Sequence, residues 1–470
     1  MENRLLKKSI FYFVGSISSK LISAVMIPIY AFFVTAESLG DYDFAQTVMF
    51  ALAPVVFLEI KEAILKYTIS ENDKFEREKI ISTSAVFTIG IALTMGLLAE
   101  VLHISKLNYG FNWSIAICIT VFYSVAQIWQ FYARALSFIK EYVSASIIST
   151  LVNFVCVILF VCVLRWGFMG LIASYIAGQL SVFVFLESKI KIVPVVFKRS
   201  FDKNIMLELI KYSSPLIFNS IAAWAITGVG KSIVRINYGS EANGLFSFAQ
   251  KFSMLVTLLG GVISMALVEE VILKINDRDI GEYFSNVISK LLRLFISACS
   301  LAMPCIAIFY NFLGGTNYQS SLSLVPILLF YAVVTNMSIN LASVFQAVGK
   351  TSVLFSTTLV GAVITLILSM LLVKPLGLAG VALSQSVGGL SMFILRWRRV
   401  RQVVDFKVRY LPLIILGILY TIISYLSVNL YWIYSFVIFI IVAIACLFIN
   451  KKEAGLLVLK LRSFVGKKNQ

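Results

Sequence analysis

Long unbroken apolar runs constrain this chain more than any other feature. A helix needs about 20 apolar residues to cross the hydrocarbon core of a bilayer. Fourteen runs of that kind follow one another, at 10–34, 43–66, 80–102, 112–134, 143–165, 169–188, 212–236, 244–270, 287–311, 322–346, 353–374, 378–396, 411–428 and 432–450. Lipid offers the backbone no hydrogen-bond partner, so each run must satisfy its own N–H and C=O groups as a helix. A barrel would show ten-residue segments of alternating polarity instead. The expected fold class is an all-α integral membrane protein with about 14 transmembrane helices. Composition agrees: 60% of the 470 residues are hydrophobic and 13% are charged, against about 25% charged in a soluble domain.

Charge placement sets the orientation. The net charge is +17, from 40 Lys and Arg against 23 Asp and Glu. Basic residues crowd 189–211 (Lys189, Lys191, Lys198, Arg199, Lys203, Lys211), 396–410 (Arg396, Arg398, Arg399, Arg401, Lys407, Arg409) and the tail (Lys451, Lys452, Lys460, Arg462, Lys467, Lys468). Connections on the other side hold little more than Lys106, Arg165 and Lys374. Cytoplasmic loops retain Lys and Arg, so both termini are expected in the cytoplasm. No soluble recognition fold accompanies the charge, so no nucleic-acid partner is expected. The N-terminus, with Arg4, Lys7 and Lys8 before a long apolar run, reads as an uncleaved first helix. Cys118, Cys156, Cys162, Cys299, Cys305 and Cys446 all sit in apolar runs without a CxxC pair. They read as lipid-buried side chains. The single His103 excludes a His-based metal cluster and a Ser-His-Asp hydrolase.

An internal repeat divides the chain. Glu37-x-x-Gly40-x-x-x-Phe44-Ala45-Gln46 recurs as Glu241-x-x-Gly244-x-x-x-Phe248-Ala249-Gln250, offset by 204. Gly167-Phe168-Met169-Gly170 recurs as Gly377-Leu378-Ala379-Gly380, offset by 210, and Ser174 matches Ser384. An even number of helices separates the copies, so the halves are parallel repeats about an axis along the membrane normal. The expected organisation is an N-lobe at 1–190, a cytoplasmic linker at 191–211, a C-lobe at 212–400, and two appended helices with a basic tail at 401–470.

Charges inside a spanning helix are costly and mark function. Lys20 lies about ten residues from either end of the first run, roughly 15 Å deep at the helical rise, with Ser16 and Ser23 beside it. Lys231 and Arg235 stand one turn apart on one face of the seventh run. Lys251 follows the repeated Gln250. These four are candidate cavity residues; snorkelling to the headgroups is the competing reading. Glu59, Glu62 and Lys66 share one face of the second run, with Lys61 pointing away. Either they form an internal ion-pair ladder, or Glu59 or Glu62 binds a proton or Na⁺ during transport. Glu269 and Glu270 raise the same question nearer a helix end. Polar stripes at Gln127, Gln130, Arg134 and at Asn336, Asn340, Ser343 mark corresponding helices of the two halves. They suit either interhelical hydrogen bonds or a hydrated cleft. A cationic cavity in a low-dielectric setting favours an anion, such as a phosphate or diphosphate.

Gly15-Ser16…Lys20…Pro28-Ile29-Tyr30, then Glu37-x-x-Gly40-x-Tyr42, then Glu62-Ala63-x-x-Lys66-Tyr67 resembles the polysaccharide-biosynthesis flippases. These are Wzx-type O-antigen and capsule repeat-unit transporters of the multidrug/oligosaccharidyl-lipid/polysaccharide exporter superfamily. Lys66 stands where many relatives place Arg. The resemblance implies two rocking six-helix lobes and no enzymatic activity. It also implies movement of an undecaprenyl-diphosphate-linked oligosaccharide across a bacterial cytoplasmic membrane. No cofactor is implied beyond coupling to an H⁺ or Na⁺ gradient. The implied partners are that lipid-linked substrate, membrane lipids, a polysaccharide polymerase and a chain-length regulator. Lys20, Lys231, Arg235 and Lys251 would neutralise the diphosphate; Glu59 or Glu62 would couple to the ion. Other readings stay open: a peptidoglycan-precursor flippase or a multidrug/cation antiporter of the same superfamily, or a glycan polymerase or ligase. Short outer connections and one His speak against the last.

Overall fold

The structure, a computed structural model, describes residues 22–450 apart from Ser23, 106–110, Asn276, Thr351 and Arg409. Lys20 and the basic tail lie outside the described residues, and the side chains of Glu269 and Glu270 are not described either. The described residues are helical, with no strand among them. In chain order the helices are α1 (Ala24–Phe33), α2 (Ala36–Val56), α3 (Ile60–Ser70), α4 (Lys74–Ile104), α5 (Trp113–Ala135), α6 (Ile139–Val157), α7 (Gly167–Ile190), α8 (Ile192–Lys198), α9 (Lys203–Lys274), α10 (Ile280–Phe312), α11 (Val325–Ala347), α12 (Ser352–Val400), α13 (Tyr410–Asn429) and α14 (Trp432–Ile449). A π-helical turn, Ile158–Val163, extends α6, and a 3-10 turn, Asn317–Leu324, leads into α11.

Among the described residues ten helices are long and apolar enough to cross a membrane. Two of them, α9 and α12, each cover two of the apolar runs and are broken by glycines at positive φ, Gly239 (φ 81°) and Gly377 (φ 57°). Only glycine enters that region without a Cβ penalty. The repeat explains the placement. Gly377 matches Gly167, also at positive φ (54°), and Gly239 matches Thr35, whose hydroxyl caps α2 by accepting from Ser38 N. Ser174 and Ser384, the other matched pair, each donate to the carbonyl four residues back, Gly170 and Gly380, at 2.6 and 2.7 Å.

The second run is not one helix. The chain breaks after α2 at Phe57–Glu59, where Leu58 (φ 52°) and Glu59 (φ 50°) are left-handed, and restarts as α3. Pro54 sits in the last turn of α2. Its ring crowds the carbonyl four residues before it and its missing N–H removes a helical bond, which favours ending the helix there.

The chain falls into two compact units. One holds 1–251 with 358–388. Its core centres on Phe57, Ile60, Trp129, Tyr132 and Leu186. Trp129 Nε1 donates to Glu187 Oε2 at 2.8 Å, and Glu187 also accepts from the Ile192 and Val193 amides, capping α8. The other unit holds 252–357 with 389–470. There α10 packs on α11, α13 and α14. Arg396 is buried and donates to Thr357 Oγ1 and to the Ser338 carbonyl, each at 3.0 Å. The outer faces of α13 and α14 carry Leu411, Ile418, Ile441 and Phe448, all exposed, as lipid-facing helices require.

The first repeat motif makes a reciprocal contact. A Cβ on Gly40 would overlap the Ser240 carbonyl oxygen, and one on Gly244 would overlap the Ala36 carbonyl oxygen. Ala36 and Ser240 are themselves related by the offset of 204. The motif therefore packs against its own copy, backbone to backbone. Gly244→Leu is expected to lower stability by about 1–3 kcal/mol through overpacking. Gly90→Leu, with nothing within 4 Å of its Cβ position, is expected to be neutral. Thermal unfolding of the two variants in detergent compares them directly.

Candidate functional site

The close approach at Gly40 and Gly244 brings α2 alongside α9 in antiparallel fashion. Contacts then run the length of α2. Asn243 Nδ2 donates to Gly40 O at 2.8 Å. Arg235 Nη2 pairs with Asp41 Oδ1 at 2.8 Å, and Ser240 Oγ donates to the same oxygen at 2.8 Å. Lys231 Nζ pairs with Asp43 Oδ1 at 2.8 Å. Trp224 Nε1 donates to Thr47 O at 2.9 Å. Beyond the break, Ser220 Oγ donates to Glu59 Oε1.

Lys231 and Arg235 do share one face, as their spacing requires, and they meet two successive acids. The carboxylates were not expected. Asp43 was read as the first residue of an apolar run and Asp41 as part of a connection. One signal was available: the second copy of the motif carries Leu245 and Ser247 at those positions. Acids present in only one copy of a repeat are not required by the packing the copies share.

Lys251 completes the cluster. Its ammonium lies over the Tyr30 ring, 4.5 Å from the centroid, and Asp43 and Lys231 are its electrostatic neighbours. No acid lies within ion-pair distance of it among the described residues. Among the described residues Lys231 and Arg235 thus pair with Asp43 and Asp41, and Lys251 stands beside them on an aromatic ring. Tyr30, Tyr42 and Tyr175 line the vicinity, with Tyr42 edge-on to Tyr175 at 6.4 Å. Lys20 falls outside the described residues.

The acidic face of the second run is rearranged. The break at Phe57–Glu59 removes Glu59 from the face of α3 and turns it toward Lys61, whose Nζ lies 2.6 Å from Oε2. One continuous helix would point Lys61 away from the acids; the break brings it to Glu59. Glu62 is half-buried and forms no ion pair among the described residues. Lys66 lies over the Tyr212 ring at 4.0 Å and so does not extend a ladder. Glu59 itself is buried and borders a small cavity whose walls mix Phe57, Ile60 and Ile128 with Lys61, Tyr123, Ser124 and Gln127.

The polar stripes separate. Gln130 is buried, and Arg134 stacks over Phe131 and Tyr142 at 4.9 and 5.8 Å. On α11, Asn336, Asn340 and Ser343 are fully buried and donate to carbonyls of their own helix. Among the described residues no group of His, Cys, Asp or Glu could hold a metal ion.

The sequence profile of the polysaccharide biosynthesis protein family matches residues 5–268. The chain belongs to that family. Solved structures give the fold. The lipid II flippase MurJ in an inward closed conformation superposes with a TM-score of 0.69, at 16% identity, over 96% of this chain and 100% of that one. An inward-facing multidrug resistance MATE family transporter of the MOP superfamily superposes at 0.65, with 12% identity, over 82% of this chain and 95% of its own. A MOP superfamily transporter from Pyrococcus furiosus, described as having a binding pocket of reverse polarity, gives 0.61 at 12% identity over 85% and 96%. No curated protein sequence matches the chain. This family member is thus a multi-pass membrane protein with the fold of flippases and MATE transporters.

Pairing of Lys231 with Asp43 predicts strong coupling. Thermal unfolding of Lys231→Met, Asp43→Asn and the double variant is expected to give an interaction energy of about 1–3 kcal/mol. The double variant should be less destabilised than the sum of the singles.

Proposed function

We propose that this chain is a flippase for an undecaprenyl-diphosphate-linked oligosaccharide, such as an O-antigen or capsule repeat unit. It carries the cargo from the inner to the outer leaflet of the cytoplasmic membrane. Family membership and fold support transport of a lipid-linked glycan intermediate. The observation that carries the reading is the cluster of Lys231, Arg235 and Lys251 beside Asp41 and Asp43. Lysines serve phosphate as point charges, and arginine adds a bidentate fork. In a space screened from water these charges offset the transfer of a diphosphate. The lipid tail stays in the bilayer while the sugar head follows the diphosphate through alternating access of the two six-helix lobes. Both termini face the cytoplasm in this reading. A polymerase and a chain-length regulator receive the product on the far side.

The substrate-binding residues are Lys231, Arg235 and Lys251, with Lys20. An organic-cation exporter would need buried acids without basic partners, which Asp41 and Asp43 are not. Complementation of a surface-polysaccharide defect tests the reading. With expression matched, Lys231→Ala combined with Lys20→Ala is expected to abolish surface glycan, and full glycan in the double variant would overturn it.

Glu59 is the candidate for ion coupling, since it is buried at a helix break beside a small cavity that also presents Lys61, Tyr123, Ser124 and Gln127. In reconstituted vesicles Glu59→Gln is expected to remove the stimulation of transport by an H⁺ or Na⁺ gradient. Undiminished stimulation would exclude it.

A further inference from the structure

Asp43 is an unusual partner for a lysine. Its residue is buried, and one oxygen, Oδ1, takes the Lys231 ammonium. The other, Oδ2, is buried with no hydrogen-bond partner among the described residues. A second ammonium, that of Lys251, lies in its field and rests over the Tyr30 ring. A carboxylate placed for stability would have both oxygens satisfied, because an unmet buried acceptor costs about 1–3 kcal/mol. Asp41, one rung along, is only half-buried, and its Oδ1 accepts from both Arg235 and Ser240.

One anion paired with one flexible ammonium group and lying in the field of a second is an arrangement that a phosphate oxygen can take over. The charge has the same sign, the acceptor is of the same kind, and lysine stems can follow it. We infer that Asp43 is an internal counter-ion that holds the place of the cargo's phosphate beside Lys231 and is displaced when the diphosphate arrives. This rests on the reading that Lys231 and Lys251 receive the diphosphate. Cargo binding is then an exchange of one anion for another, and the lysines are never left bare against lipid or water.

The exchange also selects the cargo. A lipid with a single phosphodiester charge offers Lys231 no more than Asp43 already does, so it gains little by displacing it. A diphosphate carries more than one negative charge and can engage Lys231 and Lys251 together. Asp43 therefore discriminates against bulk anionic phospholipids, which vastly outnumber any lipid-linked glycan.

The test is binding to the full chain in nanodiscs, with farnesyl diphosphate as the diphosphate probe and short-chain phosphatidylglycerol as the monoanionic one. The variants are Asp43→Asn, Asp43→Ser and the charge-preserving Asp43→Glu. Either neutral variant should bind farnesyl diphosphate roughly tenfold more tightly than the unsubstituted chain, equivalent to about 1.4 kcal/mol of relieved competition. It should also acquire measurable affinity for phosphatidylglycerol, while Asp43→Glu keeps the original preference. A folded neutral variant with unchanged or weaker diphosphate binding overturns the inference. Failure of both neutral variants to fold overturns it too, since it would mark Asp43 as a structural ion. If the unsubstituted chain does not bind farnesyl diphosphate and Lys231→Ala changes nothing, the flippase reading itself fails, a result distinct from the others.

Discussion

Glycine at 40 and 244 lets the backbones of α2 and α9 touch, and the electrostatics of the site depend on that contact. Aspartate has a single methylene and a short reach. Helices at the ordinary packing distance of about 8–10 Å are separated by side chains at the contact. Here the two repeat motifs remove those side chains and bring Asp41 and Asp43 within 2.8 Å of Arg235 and Lys231. A buried charge without a partner is strongly unfavourable in hydrocarbon. The glycine contact is therefore what permits Lys231 and Arg235 to stand paired inside a membrane helix bundle.

Most of the helical framework was legible in the sequence. Apolar runs longer than a bilayer is thick leave the backbone no choice but helix, and the repeat singled out Gly167 and Gly377; Gly239 falls between the runs ending at 236 and starting at 244 and lies outside the repeated motif. Helix continuity through Phe57–Glu59 was not legible. Apolar periodicity carries across a break when both sides are buried, and left-handed Leu58 and Glu59 carry no glycine or asparagine signature. The Glu59–Lys61 pair follows from that break and could not be found without it.

Half of the site was legible. Lys231, Arg235 and Lys251 stood out because a charge in an apolar run is rare. Their partners did not, because Asp41 and Asp43 lie at the margin of a run and meet their cations across 188 or more residues of chain. Pairing at that separation depends on tertiary contact, and spacing along one helix reports only one face. The repeat held the missing information, since its two copies differ at those two acids.

These features describe a cationic cluster that carries its own anions. Asp41 and Asp43 pair with Arg235 and Lys231, and Lys251 rests on an aromatic face. In the function proposed for the chain, a diphosphate would bring enough charge to engage the lysines without the acids. The most direct measurement follows a labelled polyprenyl-diphosphate oligosaccharide from one leaflet to the other in vesicles containing the purified chain. Movement well above protein-free vesicles, lost when Lys231 and Lys251 are both replaced by alanine, is the expected result. Movement that persists undiminished in that double variant, or that never exceeds the protein-free rate, contradicts the cationic cavity as the path of the cargo.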